Sequence, residues 1–250
     1  MDRESIVVAA GSIAILALLI ALGWYIQPPT QKLLETVPAD AQFASVVNVS
    51  EYRALARSLG GDQTLLEELS KADYVLSFAT ESYAASLALG KNVSDIVEGM
   101  GKLENEGAYK GYQYGTINGL YTVAEKNGVV IIVMGEENIQ KIIDVVEEGP
   151  RRRFIDKPYV REALDAVGGS LMVIVTDLSA MAGKTAIAAV GVERAGDKVR
   201  ARSAVCGENP ESFLGLFQGM NVQQRGNCIV SEKEMNTSEL AEAMGIQPLP

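Results

Sequence analysis

Residues 118–134, NGLYTVAEKNGVVIIVM, decide the fold class of this chain. The segment contains two runs rich in valine, isoleucine and aromatic residues, and each run follows an Asn-Gly pair, Asn118-Gly119 or Asn127-Gly128. Asn-Gly pairs supply the positive φ angles that two-residue hairpin turns require. Together with the run before Asn118, the segment predicts a three-strand antiparallel meander at residues 109–116, 120–125 and 129–134.

Outward from the meander, apolar strand-like runs alternate with amphipathic helical segments. In the first half we expect a strand at 42–49, a helix at 50–59, a hairpin at 72–80 and 82–89, and helices at 92–103 and 136–148. The second half follows the same order. Here we expect a helix at 158–167, a strand at 169–176, a helical turn at 177–182, a hairpin at 185–192 and 199–206, a helix at 209–220, a strand from 228 and a helix at 237–244.

The repeated order predicts an α+β fold with a mixed or antiparallel sheet. Two diverged strand-helix-hairpin-helix-strand repeats would build it, the first over residues 41–150 and the second over residues 151–250. Residue identity between the two halves is low, so this prediction rests on the order of the elements.

Residues 6–26 form an uncharged run of 21 residues. As a helix the run would be about 32 Å long, which matches a bilayer core of ~30 Å. Trp24 and Tyr25 stand at its end, where aromatic residues favour the headgroup region, and prolines follow. The flank Met-Asp-Arg-Glu lacks the basic region of a cleaved signal peptide. We therefore expect an uncleaved anchor, with residues 1–5 cytoplasmic and residues 27–40 forming a stalk.

Ala10, Ala14, Ala17 and Ala21 recur at helical spacing within this anchor. Such a stripe of small side chains lets a second helix approach closely, which predicts a helix-packing face. The alternative is that alanine is simply common in membrane helices.

Cys206 and Cys228 are the two cysteines of the chain, and each lies at the edge of a predicted strand. The strands flank one predicted helix and so could be neighbours, which fits a disulfide; two buried free thiols also fit. Disulfides persist in oxidising compartments. We expect the disulfide, and with it an extracytoplasmic domain.

Three Asn-x-Ser sequons also fit an extracytoplasmic location, at Asn48, Asn92 and Asn236. Asn48 ends a predicted strand and Asn92 precedes a predicted helix, where asparagine and serine also serve as caps. We treat all three as glycosylation candidates.

Several short motifs resemble one uncharacterised prokaryotic family of membrane-anchored extracytoplasmic proteins. They are Val37-Pro-Ala-Asp40 before an apolar strand, Tyr109-Lys-Gly-Tyr112, and the aromatic strand pair at residues 121–132. This family has a domain of unknown function that begins with Pro-Ala-Asp and contains a Tyr-Lys-Gly strand. The resemblance covers roughly residues 36–182, and it implies an anchored extracytoplasmic α+β domain with no assigned activity.

The chain contains no histidine, which excludes histidine general bases and histidine-ligated metals. Two cysteines are too few for a four-thiolate metal site. Gly183-Lys184-Thr185 resembles the end of a phosphate-binding loop, but Leu178 stands where that motif needs glycine. We therefore expect no enzyme activity, no catalytic residue, no metal and no cofactor.

Charge and aromatic residues indicate the kind of partner. The net charge of −10 repels nucleic acid, so we expect none to bind. Tyr112 and Tyr114 share one face of a strand, and Arg151, Arg152 and Arg153 form the basic cluster. Both groups are candidate contact patches. Cross-strand packing and a solvated loop are the respective alternatives.

These observations favour a non-catalytic, single-pass subunit of a membrane or cell-surface assembly. Its partners would be the lipid bilayer and other membrane or cell-surface subunits. The alternative is an extracytoplasmic ligand-binding module with a pocket between the two repeats. A hydrolase that works without histidine comes third.

Overall fold

The computed structural model describes residues 29–58, 70–134, 139–196, 198–236 and 239. Within these residues twelve strands form a single antiparallel sheet. The strands are β1 (Phe43–Asn48), β2 (Tyr74–Ala79), β3 (Ala84–Leu89), β4 (Glu104–Tyr109), β5 (Tyr112–Ile117), β6 (Tyr121–Lys126), β7 (Val129–Met134), β8 (Met172–Asp177), β9 (Ala186–Ala195), β10 (Lys198–Gly207), β11 (Val222–Arg225) and β12 (Cys228–Asn236).

Six described α-helices and two 3₁₀ helices accompany the sheet. The α-helices are α1 (Pro29–Leu34), α2 (Val49–Ser58), α3 (Ser94–Met100), α4 (Ile139–Glu148), α5 (Val160–Val167) and α6 (Ser179–Ala182). The 3₁₀ helices are Phe154–Asp156 and Pro210–Phe217. The α+β class and the antiparallel sheet expected from the sequence are confirmed.

The strand order is β11-β12-β10-β9-β8-β1-β2-β3-β7-β6-β5-β4, so β1 and β8 pair near the centre, with four strands beyond β8 and six beyond β1. Their register places Ala44 opposite Val175 and Val46 opposite Val173. Outward from this pair, the strands on the two sides follow a corresponding order in the chain. The order is β1-β2-β3-β7-β6 on one side and β8-β9-β10-β12-β11 on the other. The division into two repeats nevertheless stays a prediction.

Alternation along the strands gives the sheet two different apolar faces. We call the face that carries Ala44, Val46, Val173 and Val175 the core face. Its side chains form one large buried cluster with α1, α4, α5 and Phe154, which extends over both halves of the sheet. The opposite, outer face carries three smaller clusters, beneath α2, beneath α3 and beneath the 3₁₀ helix Pro210–Phe217.

The hairpin turns follow the prediction, and one turn was missed. Asn118-Gly119 and Asn127-Gly128 have positive φ at both positions. Lys110-Gly111 has the same conformation, with φ of 50° and 83°. The strand predicted at 109–116 is present as β5, but it begins at Tyr112 because the chain turns at Lys110. The meander has four strands, since β4 precedes this turn. Glycine at the second position permits the turn without an asparagine at the first.

Residues 29–40 differ from the predicted stalk of residues 27–40. Pro29–Leu34 is helical, and Leu34 and Val37 are fully buried in the core-face cluster. The backbone then pairs with the segment before α5, since Ala39 N–H donates to Arg152 O at 2.9 Å and Phe154 N–H donates to Val37 O at 2.8 Å. This segment is part of the folded domain because its apolar side chains complete the core.

Two smaller differences lie in the second half. The helix expected at 209–220 is the 3₁₀ helix Pro210–Phe217. Strand β11 was not predicted, because its sequence VQQR is exposed at every position and lacks an apolar alternation.

No helix within the described ranges is both long and apolar enough to cross a bilayer. The predicted anchor at residues 6–26, with its alanine face and Trp24 and Tyr25, lies outside the described residues. The helix expected at 237–244 lies outside them as well, apart from residue 239.

The two Asn-Gly turns provide a matched test of the meander. Gly119 has φ of 62° with no atom within 4 Å of an added Cβ, whereas at Gly128 (φ 82°) that Cβ would lie 2.8 Å from Gly90 O. We expect Gly119→Ala to cost about 1 kcal/mol of unfolding free energy from backbone strain alone. Gly128→Ala should cost about 1–3 kcal/mol more because the hairpin must move away from Gly90. Urea unfolding of both variants measures this, and equal losses would contradict the close approach.

Candidate ligand pocket at the junction of the two halves

A pocket with a volume of about 730 Å³ lies where the two halves of the sheet meet. The first half contributes the start of β1 and the turn between β2 and β3. The second half contributes the end of β8 and the short helix α6. The lining residues are Asp40, Gln42, Phe43, Thr80, Glu81, Ser82, Lys157, Thr176, Asp177, Ser179, Ala180 and Met181. This size is ordinary for a small-molecule site.

A half-buried ion pair fixes one side of the pocket. Lys157 Nζ lies 2.7 Å from Asp177 Oδ2 and also donates to Ala41 O at 2.8 Å. The ammonium lies 5.1 Å from the centroid of the Phe154 ring, within the range of a cation–π contact. Lys157 therefore joins the start of β1, the end of β8 and the core-face cluster.

The position of Asp177 follows from its local sequence. It ends β8, and its Oδ1 accepts the backbone N–H of Ser179 at 2.9 Å, as in an Asx turn that leads into α6. Burial by itself raises the pKa of Asp177, but the hydrogen bonds from Lys157 and Ser179 outweigh this effect and hold the pKa below its usual value. Asp177 is therefore a carboxylate at neutral pH.

The opposite side of the pocket is built by the β2–β3 turn. Thr80 Oγ1 accepts the backbone N–H groups of Ser82 and Tyr83, both at 3.2 Å, which fixes the turn. Tyr83 packs edge-to-face on Phe78, with ring centroids 6.2 Å apart. Burial and the negative charge of Asp40 raise the pKa of Tyr83.

The pocket has an acidic rim and an apolar side. Asp40, Glu81 and Asp177 face one lysine, and Lys157 is already paired with Asp177. Glu81 accepts a hydrogen bond from Gln42 Nε2 at 3.2 Å. The apolar side is formed by Phe43, Ala180 and Met181, and Met181 is 87% exposed. The arrangement can hold a cation that also carries an apolar group.

The sequence did not single out Lys157, Asp177 or Phe43. A signal for Asp177 was present, because an aspartate that directly follows an apolar strand and precedes a helical turn is typical of a capping residue. Lys157 gives no comparable signal, since its pairing depends on a contact across 20 residues of sequence.

The disulfide between Cys206 and Cys228 is confirmed. The two residues stand directly opposite each other on β10 and β12, with Cα atoms 4.0 Å apart, and both are buried. The bond crosslinks strands near one edge of the sheet and lies outside the lining of the junction pocket.

The tyrosine patch differs from the expectation. Tyr112 is 1% exposed and packs in the core-face cluster, where burial and the nearby carboxylate of Glu147 raise its pKa to about 12. Tyr114 is half-buried on the same face. The alternative of cross-strand packing therefore describes Tyr112, which cannot take part in a surface contact.

The three arginines of the basic cluster differ in their exposure and contacts. Arg151 and Arg152 are exposed. Arg153 instead pairs with Asp156 at 2.8 Å and with Glu35 at 3.4 Å, which ties the segment before α5 to the residue that follows α1.

The three sequon asparagines lie at the ends of elements. Asn48 Oδ1 accepts the Ser50 hydroxyl at 2.8 Å and the Glu51 N–H at 3.3 Å, so it acts as a cap of α2. Asn92 is exposed in the turn before α3, and Asn236 is exposed at the end of β12. Their glycosylation stays a prediction.

Among the described residues, no group of three or more histidine, cysteine, aspartate or glutamate side chains is placed to hold a metal ion.

No protein-family model and no curated protein matches this sequence. Solved structures of a protein named TP0453 are similar in fold. Its crystal form IV has a TM-score of 0.57 at 10% identity, covering 84% of this chain and 95% of that chain. Crystal form III gives 0.57 at 8% identity (86% and 98%), and crystal form I gives 0.52 at 10% identity (84% and 95%). Identities this low show a common fold and nothing more.

The Lys157–Asp177 pair predicts a specific dependence of stability on pH. Because the folded-state pKa of Asp177 is depressed, its contribution is complete above the unfolded value of about 3.9 and is lost as the pH falls through the folded value. We expect Asp177→Asn to lower the unfolding free energy by about 1–3 kcal/mol at pH 7. The difference from wild type should shrink below about pH 4.

Urea unfolding between pH 3 and pH 8 measures this difference. Asp165→Asn, which changes an exposed aspartate of α5, is the control and should follow the wild-type curve. A loss in Asp177→Asn that is the same at every pH would show that the carboxylate charge is not what stabilises the junction.

Proposed function

We propose that the protein is a non-catalytic, membrane-anchored extracytoplasmic domain that binds a small organic cation in the junction pocket. The observation that carries this proposal is the pocket itself, which is formed by both halves and combines an acidic rim with an apolar side. The anchor and the extracytoplasmic location rest on the apolar run at residues 6–26, with the disulfide as further support.

Charge is the first argument for a cation. Lys157 is compensated by Asp177, so Asp40 and Glu81 remain as the negative groups that a ligand meets. Both are exposed, and each contributes at most about 1 kcal/mol to binding a cation. The selectivity expected from two exposed carboxylates is sensitive to salt.

Shape and polarity give the second argument. Phe43 presents an aromatic side chain, and Met181 is a flexible thioether that can adapt to a ligand surface. An ammonium ion without an apolar group would leave these side chains exposed to water. The best fit is therefore an amine attached to an apolar body.

The proposal is tested with 2-phenylethylamine and with 2-phenylethanol, which keeps the ring and lacks the charge. Isothermal titration of the full chain should show that the amine binds and that the alcohol binds more weakly. In the double variant Asp40→Asn/Glu81→Gln the affinity for the amine should fall roughly tenfold. The double variant Glu98→Gln/Asp165→Asn removes the same net charge elsewhere and should bind normally.

Failure of the amine to bind at all would contradict the proposal. Equal binding of amine and alcohol would contradict the role of the acidic rim. A loss that is the same in both double variants would show that net charge acts at long range and not through the pocket.

A second candidate function is an accessory subunit of a membrane or cell-surface complex, and the surface next to β11 favours it. Leu214, Leu216, Met220 and Val222 are between 38% and 62% exposed, and β11 is the edge strand of the described sheet, a position that favours pairing with a further strand. A subunit of this kind should co-purify with a stoichiometric partner after mild detergent extraction, and Leu216→Asn should release it. Recovery of the chain alone would count against this candidate.

We also infer that the two halves arose as diverged repeats. The support is the common strand order outward from the central pair, β1-β2-β3-β7-β6 on one side and β8-β9-β10-β12-β11 on the other. Backbone superposition of these two sets of strands should align β1 with β8 and the hairpins with each other. A superposition that fails beyond one strand would contradict the repeat.

A further inference from the structure

A second pocket, with a volume of about 490 Å³, lies between the core face of the β5–β6 hairpin and the first described turn of α4. It shares no lining residue with the junction pocket. The described side chains around it carry amide, hydroxyl, aromatic and aliphatic groups, and none of them is charged: Asn105, Tyr114, Thr116, Thr122, Ile139 and Gln140. The protein has a net charge of −10, so this uncharged group of described side chains differs from the acidic composition of the whole chain.

Two threonines stand directly opposite each other in this pocket, and among the described residues only one of their hydroxyl groups forms hydrogen bonds. Thr116 Oγ1 donates to Glu104 O at 3.1 Å and accepts Asn105 Nδ2 at 3.2 Å. Thr122, its partner in the β5–β6 register, is 3% exposed, and its hydroxyl has no hydrogen-bond partner within the described part of the chain. An unpaired buried hydroxyl costs free energy that a polar ligand in the pocket would recover.

The aromatic wall of the pocket is held in place by the edge strand. The ring of Tyr114 lies against the bare backbone of Gly107 on β4, so close that an added Cβ would be 2.5 Å from Tyr114 Cζ. Asn105 lies at the irregularity between Glu104 and Gly107, with φ of 51°, and is held there by its bond to Thr116. The ring and the amide are therefore positioned before any ligand arrives.

From this geometry we propose that the pocket binds an uncharged polyhydroxylated ligand, a saccharide of one or two rings. The hydroxyl of Thr122 and the amides of Asn105 and Gln140 pair with the sugar hydroxyl groups. The Tyr114 ring covers an apolar C–H face of the sugar and removes that face from water. The lining side chains that the structure describes carry no charge to compensate an ionic ligand, and the volume lies within the range of small-molecule sites.

The test uses D-glucose, D-galactose and N-acetyl-D-glucosamine as probes, each titrated into the ¹⁵N-labelled full chain in a detergent without a sugar headgroup. At least one of them should give saturable shifts of amide signals in β5, β6 and the start of α4. Thr122→Val keeps the side-chain shape and removes the hydroxyl, and it should weaken that binding roughly fivefold, as expected for one neutral hydrogen bond. Gln140→Ala, at an exposed position of α4, should also weaken it.

The matched control is Thr30→Val. Thr30 is also buried, at 2% exposure, with an unpaired hydroxyl, but it does not line this pocket. Both valine variants should be at least as stable as wild type without sugar, and only Thr122→Val should lose affinity. The proposal is overturned if no probe binds the wild-type chain, or if binding is unchanged in both Thr122→Val and Gln140→Ala. Neither outcome bears on the cation proposed for the junction pocket.

Discussion

The backbone pairing of β1 with β8 is the interaction on which the rest of this structure depends. It joins the two halves of the chain into one sheet, through a register from Phe43↔Thr176 to Val47↔Met172. Because side chains alternate along a strand, this register also brings Ala44 and Val46 to the same face as Val173 and Val175. A shift by one residue would leave Ala44 and Val46 on one face and place Val173 and Val175 on the other, which would divide the large core-face cluster.

The same pairing explains why the segments outside the sheet lie where they do. Leu34 and Val37 cover the core face beside β1, and α5 covers the strands next to β8. Lys157 connects these regions by contacting Ala41 O, Asp177 and the Phe154 ring. The start of β1 lies beside the ends of β2 and β8. From these ends the chain leaves the sheet in two directions, from β2 into the β2–β3 turn and from β8 into α6. The junction pocket is the space between them, so its walls come from parts of the chain that only the β1–β8 pairing brings together.

Much of the fold could be predicted from the sequence because the residues that specify its turns and helices are close together in the chain. The Asn-Gly turns at Asn118 and Asn127 and the isoleucine spacing in α4 specify their own structure. Lys110-Gly111 was missed because lysine is not a typical turn residue, although the glycine after it permits the conformation. The stalk was predicted because the prolines near residue 29 end an apolar run, whereas Leu34 and Val37 are buried by contacts with distant parts of the chain. The pocket residues were missed for the same reason: the pairing of Lys157 with Asp177 depends on the tertiary fold, and so does the position of Thr122 beneath α4.

We infer that the two halves form one cooperative unit joined by β1 and β8. Native-state hydrogen exchange of the full chain, measured by mass spectrometry over a range of urea concentrations, tests it most directly. We expect the amides of β1 and β8 to be among the most protected, and β2 and β9 to exchange with the same free energy as global unfolding. If β8–β12 exchanged as a separate unit of lower free energy while β1–β7 stayed protected, the two halves would be independent domains, and the claim of one cooperative unit would be contradicted.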